Sequence, residues 1–154
     1  MAVSIKSERE IEFMRQAGKI LAKVHEELGK AIVPGISTWE IDQLGEKLIR
    51  QYDCIPNFLN YHGYPASVCV SVNEEVVHGI PRKDRILKDG DIVSLDAGLI
   101  YKGYHSDSAY TYIVGKVDKK TEKFVNDTQK ALYKGISVVK EGIKLNEVCK
   151  AIES

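Results

Sequence analysis

The sequence predicts an α+β fold: an antiparallel sheet flanked by helices, followed by an incomplete second repeat. Three observations carry this. Helical periodicity fills residues 7–51 and returns after residue 120, with strand-like runs between. Lys102-Gly103 reads as a two-residue turn joining two long β-prone segments into a hairpin. A helix, a Gly-Ile break and a second helix occur near both ends of the chain, with Gly35 and Gly142 spaced 107 residues apart.

The first helix is expected over residues 7–32. Ile11, Met14, Ala17, Ile20, Leu21, Val24, Leu28 and Ile32 recur at steps of three and four. Ser7 and Glu10 have capping-box spacing, and Pro34-Gly35 ends the run. A second helix follows, with Ser37-Thr38 as N-cap, Ser37 and Glu40 again spaced as a capping box, and Ile41, Leu44 and Leu48 as its stripe. Residues 57–65 are rich in aromatics, Gly and Pro and read as a loop or irregular strand. Residues 67–72 are a short β-prone run; Val76-Val77 is another, closed by His78-Gly79-Ile80-Pro81. The hairpin strands follow at residues 92–101 and 104–114, and Gly115 closes the second. Phe124, Val125, Thr128, Ala131, Leu132, Ile136 and Val139 then restore the helical period.

The segment Glu141-Gly142-Ile143-Lys144-Leu145-Asn146-Glu147-Val148 matches Pro34-Gly35-Ile36-Ser37-Thr38-Trp39-Glu40-Ile41 in its break and spacing. Chance likeness of two helix joints is one account, and duplication is the other. Duplication makes residues 1–154 one truncated domain. Residues 1–115 are then the first pseudo-repeat, two helices plus strands, and residues 116–154 start the second. A complete two-unit fold would need at least about 215 residues.

Composition excludes several classes. The 154 residues are 44% apolar and 29% charged, as in an ordinary globular domain. Lys+Arg and Asp+Glu are both 22, and this neutral balance argues against nucleic acid or an anionic membrane as the main partner. No apolar run approaches the ~18–20 residues of a membrane span. Residues 1–10 lack the apolar core of a signal peptide. Cys54, Cys69 and Cys149 are odd in number and lack CxxC spacing, so a cytoplasmic protein with reduced thiols is expected.

The hairpin carries the chemistry. With Lys102-Gly103 as the turn, Tyr101 faces Tyr104 and Asp107 faces Gly98. Asp96 shares the face of Gly98, so Asp96 and Asp107 are diagonal neighbours, with Cα atoms about 7–8 Å apart. Ser94, Ala109 and Thr111 share that face, while Val93, Leu95, Ala97, Leu99, Tyr110 and Tyr112 form the core face. Two readings fit the aspartates. They are solvated strand residues, or they repel and resist ionisation until a cation sits between them. Oxygen ligands with imidazole would suit Mn, Fe, Co or Zn. His62 and His78 lie in loops beside Gly and Pro, as ligands or as structural residues. His25 is expected on the surface of the first helix, and His105 exposed beside the turn. Glu74 and Glu75 either face solvent or anchor their loop, and Cys69 is most simply a buried core thiol.

These motifs together resemble type I, bacterial-type methionine aminopeptidase, whose fold is the pita-bread (creatinase/aminopeptidase) fold. The resemblance runs through Tyr61-His62-Gly63-Tyr64-Pro65, Ser67-Val68-Cys69-Val70-Ser71-Val72-Asn73-Glu74, His78-Gly79-Ile80-Pro81, Leu87-Lys88-Asp89-Gly90-Asp91-Ile92-Val93 and Gly103-Tyr104-His105-Ser106-Asp107. It implies a catalytic-type domain that removes the N-terminal methionine from nascent proteins with a small second residue, through a metal-bridged hydroxide. The chain's own Met1-Ala2 would be such a substrate. Asp96 is implied as a bidentate metal ligand and Asp107 as a bridge between two metals. His78 is implied to contact the scissile amide and stabilise the transition state. Tyr61, Tyr64 and Cys69 are implied to line the methionine pocket, with Phe58 at a more variable wall position. The implied cofactors are two divalent ions per complete site, of Co, Mn, Fe or Zn. The implied partners are N-terminal methionyl peptides near the ribosome, with no direct nucleic acid or membrane contact.

The chain also departs from that pattern. The family site uses five ligands: two Asp, one His and two Glu. No His follows Ile143, and Glu147 and Glu153 belong to the start of a helix, so two ligands of five are expected here. Three readings follow: an aminopeptidase portion with little activity alone, a prolidase-like Xaa-Pro peptidase of the same fold, or a non-enzymatic binding or dimerisation half-module. The first and third anticipate self-association or a complementary C-terminal half.

Overall fold

A computed structural model describes residues 4–154; Met1-Ala2, named above as a substrate sequence, lies outside the described residues. The chain forms two compact units, Met1–Lys116 and Val117–Ser154.

In the first unit, α1 (Glu8–Ala31) and α2 (Thr38–Gln51) start at Ser7 and Ser37, each closing a capping box with the Glu three residues on. Capping of this kind satisfies backbone N–H groups that no helical carbonyl can reach. The unit also holds a four-stranded antiparallel sheet, β1 (Ile55–Pro56), β2 (Val68–Val72), β3 (Ile92–Tyr101) and β4 (Tyr104–Ile113), with a short 3-10 turn at Tyr61–Gly63. β4 pairs along one edge of β3, while β1 and β2 share the other. Lys102 and Gly103 both have positive φ, at 49° and 84°, as the tight hairpin turn requires. The β3–β4 register therefore follows from the turn, with Tyr101 opposite Tyr104 and Gly98 opposite Asp107.

Strand alternation separates two faces. Val68, Val70 and Val72 pair with Ala97, Leu95 and Val93, and all six are buried in the core under α1 and α2. Cys69 and Ser71, opposite Asp96 and Ser94, share the other face. Ala17, Leu21, Val24 and Leu28 of α1 complete the core, although Ile11 and Met14 of the same stripe stay exposed.

Three expectations change. His25 is buried rather than on the surface, because α1 packs on β4 and the His25 Nε2–H donates to the Ser108 carbonyl at 2.9 Å. Val76-Val77 forms no strand and is exposed; its loop meets β2 at Gly79 instead, whose carbonyl accepts the Val70 N–H. Tyr110, expected on the core face, is 48% exposed on the edge strand β4, its ring against Tyr112. Glu75 anchors its loop, accepting the Val72 N–H at 2.8 Å.

The second unit holds α3 (Lys119–Ser137) and α4 (Leu145–Glu153). Gly135 lets Ile152 and Val148 of α4 approach the α3 backbone. Phe124, Leu132, Ile136 and Val139 remain exposed.

A candidate metal centre beside a cleft

The face of β3 and β4 turned away from the helices brings Asp96 and Asp107 together. Asp96 lies opposite Ala109 and Asp107 opposite Gly98, so the two carboxylates are diagonal across the ladder. On the same face Ser94 and Thr111 share a hydroxyl hydrogen bond of 2.9 Å. Burial pushes the Asp96 carboxyl above the usual carboxylate range, and the negative charge of Asp107 pushes it further, while His78 acts in the opposite sense. Asp96 Oδ1 is buried without a hydrogen-bond partner.

A buried, unpartnered carboxylate oxygen beside a second carboxylate fits a divalent cation, which would satisfy the oxygen and relieve the repulsion. Among the described residues, no group of three or more His, Cys, Asp or Glu gathers that could hold a metal ion. Asp96 and Asp107 alone would make only part of a ligand set.

A cleft of about 560 Å³ opens beside them. Asp96 and Asp107 line it, together with the other residues singled out from the sequence: Phe58, Tyr61, Tyr64, Cys69 and His78. His62 also lines it, its ring 4.4 Å from that of Tyr61 between centroids. Ile80 and Pro65 complete the apolar lining and were not anticipated. The signal for Ile80 was its place two residues after His78 in the same loop. Among the residues left open above, His105 is exposed and holds Asn57, with 2.6 Å between Nδ1 and Oδ1.

Local chemistry explains how these side chains reach one place. Gly98 has no Cβ, and one placed there would lie 2.9–3.0 Å from Asn57 and the Phe58 ring, so the wall segment rests directly on β3. The Asn57 N–H donates to the Gly98 carbonyl at 2.9 Å and fixes that approach. The Tyr64 hydroxyl donates to the carbonyls of Val68 and Gly79, at 3.2 and 3.0 Å, tying the Tyr64 loop to β2 and to the His78 loop. Asn60, His62 and His78 hold left-handed backbone, with φ of 65°, 47° and 58°. Such conformations are costly for non-glycine residues and concentrate at functional clefts.

Cys69 is both buried and part of the cleft wall, at 4% exposure. Burial pushes its thiol up, and the charges of Asp96 and Asp107 add to this, so it stays a protonated apolar wall rather than a nucleophile. Burial likewise pushes the Tyr64 hydroxyl far up, keeping it a donor. The arrangement can therefore hold an apolar side chain next to a divalent cation.

Known proteins carry the same arrangement of chain. Methionine aminopeptidase 1 of Bacillus subtilis is 50% identical over 149 residues, covering 97% of this chain and 60% of that protein. Methionine aminopeptidase of Escherichia coli K12 is 43% identical over 154 residues, covering 99% and 58%. Among solved structures, methionine aminopeptidase of Thermotoga maritima matches with a TM-score of 0.94 at 43% identity, over 97% of this chain and 60% of that one. The Xaa-Pro dipeptidase of Bacillus anthracis matches at 0.80 and 26% identity, over 96% and 40%. The chain thus spans about 60% of the length of the methionine aminopeptidases it matches. Its sheet and flanking helices are those of the pita-bread fold. The model of "Metallopeptidase family M24" matches residues 12–154. With nearly the whole chain matched and two carboxylates converging on the hairpin face, this chain belongs to metallopeptidase family M24.

Proposed function

We propose that the chain is the first part of a metalloaminopeptidase that removes N-terminal methionine from peptides with a small second residue. One observation carries the reading: Asp96 Oδ1 is buried and unpartnered beside Asp107 at a largely apolar cleft. Asp96 and Asp107 would hold divalent ions, two in a complete site and of Mn, Co, Fe or Zn. Ions bound there would supply Lewis-acid polarisation of the scissile carbonyl and a water made acidic at neutral pH. The chain's own residues do the rest. Tyr61, Tyr64, Cys69 and Phe58 receive the methionine side chain and exclude water around it. His78, with its left-handed backbone, would contact the scissile amide and stabilise the transition state. The stronger likeness to methionine aminopeptidases than to the Xaa-Pro dipeptidase supports methionyl rather than Xaa-Pro substrates.

Residues 1–115 serve as a first pseudo-repeat and residues 116–154 as the start of a second. Supporting this, α2 and α4 both begin after a glycine of positive φ, Gly35 at 96° and Gly142 at 82°. The remaining ligands belong to a complementary C-terminal half, and the exposed apolar residues of α3 support packing against such a half, or self-association. Substrates are newly made chains in the cytoplasm, met near the ribosome.

Hydrolysis of Met-Ala-Ser with Mn or Co tests the proposal. The chain alone is expected to give little turnover. Mixed with a separately produced second half from the B. subtilis relative, it is expected to regain turnover that Asp96→Asn abolishes. Robust turnover by the chain alone, or turnover indifferent to Asp96→Asn, contradicts it.

A further inference from the structure

We propose that Asp42 is a positioning residue for the cleft, holding the start of β2 and, through it, the wall formed by Tyr64, Cys69 and the His78 loop. The inference rests on the cleft reading above. Asp42 belongs to α2 and is 5% exposed. Its Oδ1 accepts the N–H of Ser67 at 2.7 Å and of Val68 at 3.1 Å. These are the residues where the chain enters β2, and both are buried. Without that oxygen, two backbone donors would be buried unpaired.

A continuous set of hydrogen bonds runs on from this anchor. The Val68 carbonyl accepts from the Tyr64 hydroxyl, which also donates to the Gly79 carbonyl. The Gly79 carbonyl accepts the Val70 N–H at 2.9 Å, and the Gly79 N–H donates to Ser71 Oγ at 3.0 Å. His78, next in the chain, is thereby fixed against β2. The helix end of the link is firm: Gly45 lies against Val68, and Ile41 and Ile49 are fully buried.

The acceptor geometry, not the charge, is what the link uses. Burial pushes the Asp42 carboxyl up, its two N–H partners offset this only in part, and the charged neighbour Glu46 adds to the upward push. The ionised form is therefore the costly one, while Asn presents the same oxygen without the charge.

Iodoacetamide labelling of the chain, resolved cysteine by cysteine by peptide mass spectrometry, tests this. Cys69 reports the cleft wall; Cys54, in the apolar core just past the end of α2, reports global opening. Asp42→Ala is expected to raise the Cys69 rate relative to Cys54 by about tenfold, and Asp42→Asn to stay within about twofold of the parent chain. An unchanged Cys69-to-Cys54 ratio in Asp42→Ala overturns the proposal, including the case where the variant unfolds and both rise together. So does an Asn variant that behaves like Ala. The readout uses neither metal nor peptide, so its failure and that of the peptidase reading are separable.

Discussion

His25 sits on α1 at 8% exposure with its Nε2–H on the Ser108 carbonyl. Its Nδ1 is buried and unpartnered, so a second ring proton would have nothing to donate to. Burial lowers its pKa from 6.5, against the opposing pull of the Ser108 carbonyl and Asp107. The sign follows from linkage. The unfolded chain takes up a proton near pH 6.5 and the folded chain resists until lower pH. The stability His25 contributes is complete above its unfolded pKa and is lost as pH falls through the folded one. Melting temperature followed by circular dichroism should drop as pH is lowered below 6.5, and His25→Gln should drop less over the same window. Equal slopes would remove His25 as the cause. Periodicity could not reveal this burial, because it finds an apolar stripe and a histidine at its border is read as polar. Only the partner on β4, 83 residues away, makes the ring's burial affordable.

Among the elements, β2 and the loop after it depend on one close approach. A Cβ at Gly79 would lie 2.3 Å from the Val70 carbonyl oxygen, a backbone atom that cannot swing aside. Gly79→Ala should therefore cost about 1–3 kcal/mol in urea denaturation. Unchanged stability would show that the loop relaxes freely. The β3–β4 register was legible because a two-residue turn fixes it, and with it the Asp96–Asp107 diagonal. The β2–β3 register was not, since no tight turn joins those strands. Cys69 facing Asp96 is thus a structural finding, and it reconciles a core thiol with a cleft wall. Val76-Val77 is β-prone by composition only: both side chains are exposed, and propensity without burial does not make a strand.

At the scale of the whole molecule, the apolar core lies entirely within the unit Met1–Lys116. The cleft belongs to that unit, and Asp96 and Asp107 line it where no group of three or more candidate ligands gathers among the described residues. Tyr61, Tyr64, Cys69 and Phe58 were legible as cleft residues only through the resemblance their motifs carry, whereas Asp96 and Asp107 were legible also from the hairpin register. The left-handed backbone at Asn60, His62 and His78, and the seat of Phe58 on Gly98, were not legible, because they depend on contacts across the sheet. Asp96 and Asp107 are proposed to share a divalent cation. Calorimetric titration of the chain with Mn(II), against Asp96→Asn and Asp107→Asn, tests it most directly. The parent chain is expected to bind Mn(II) weakly, with binding lost in each variant while the circular dichroism spectrum is unchanged. Equal Mn(II) affinity in all three chains would contradict it.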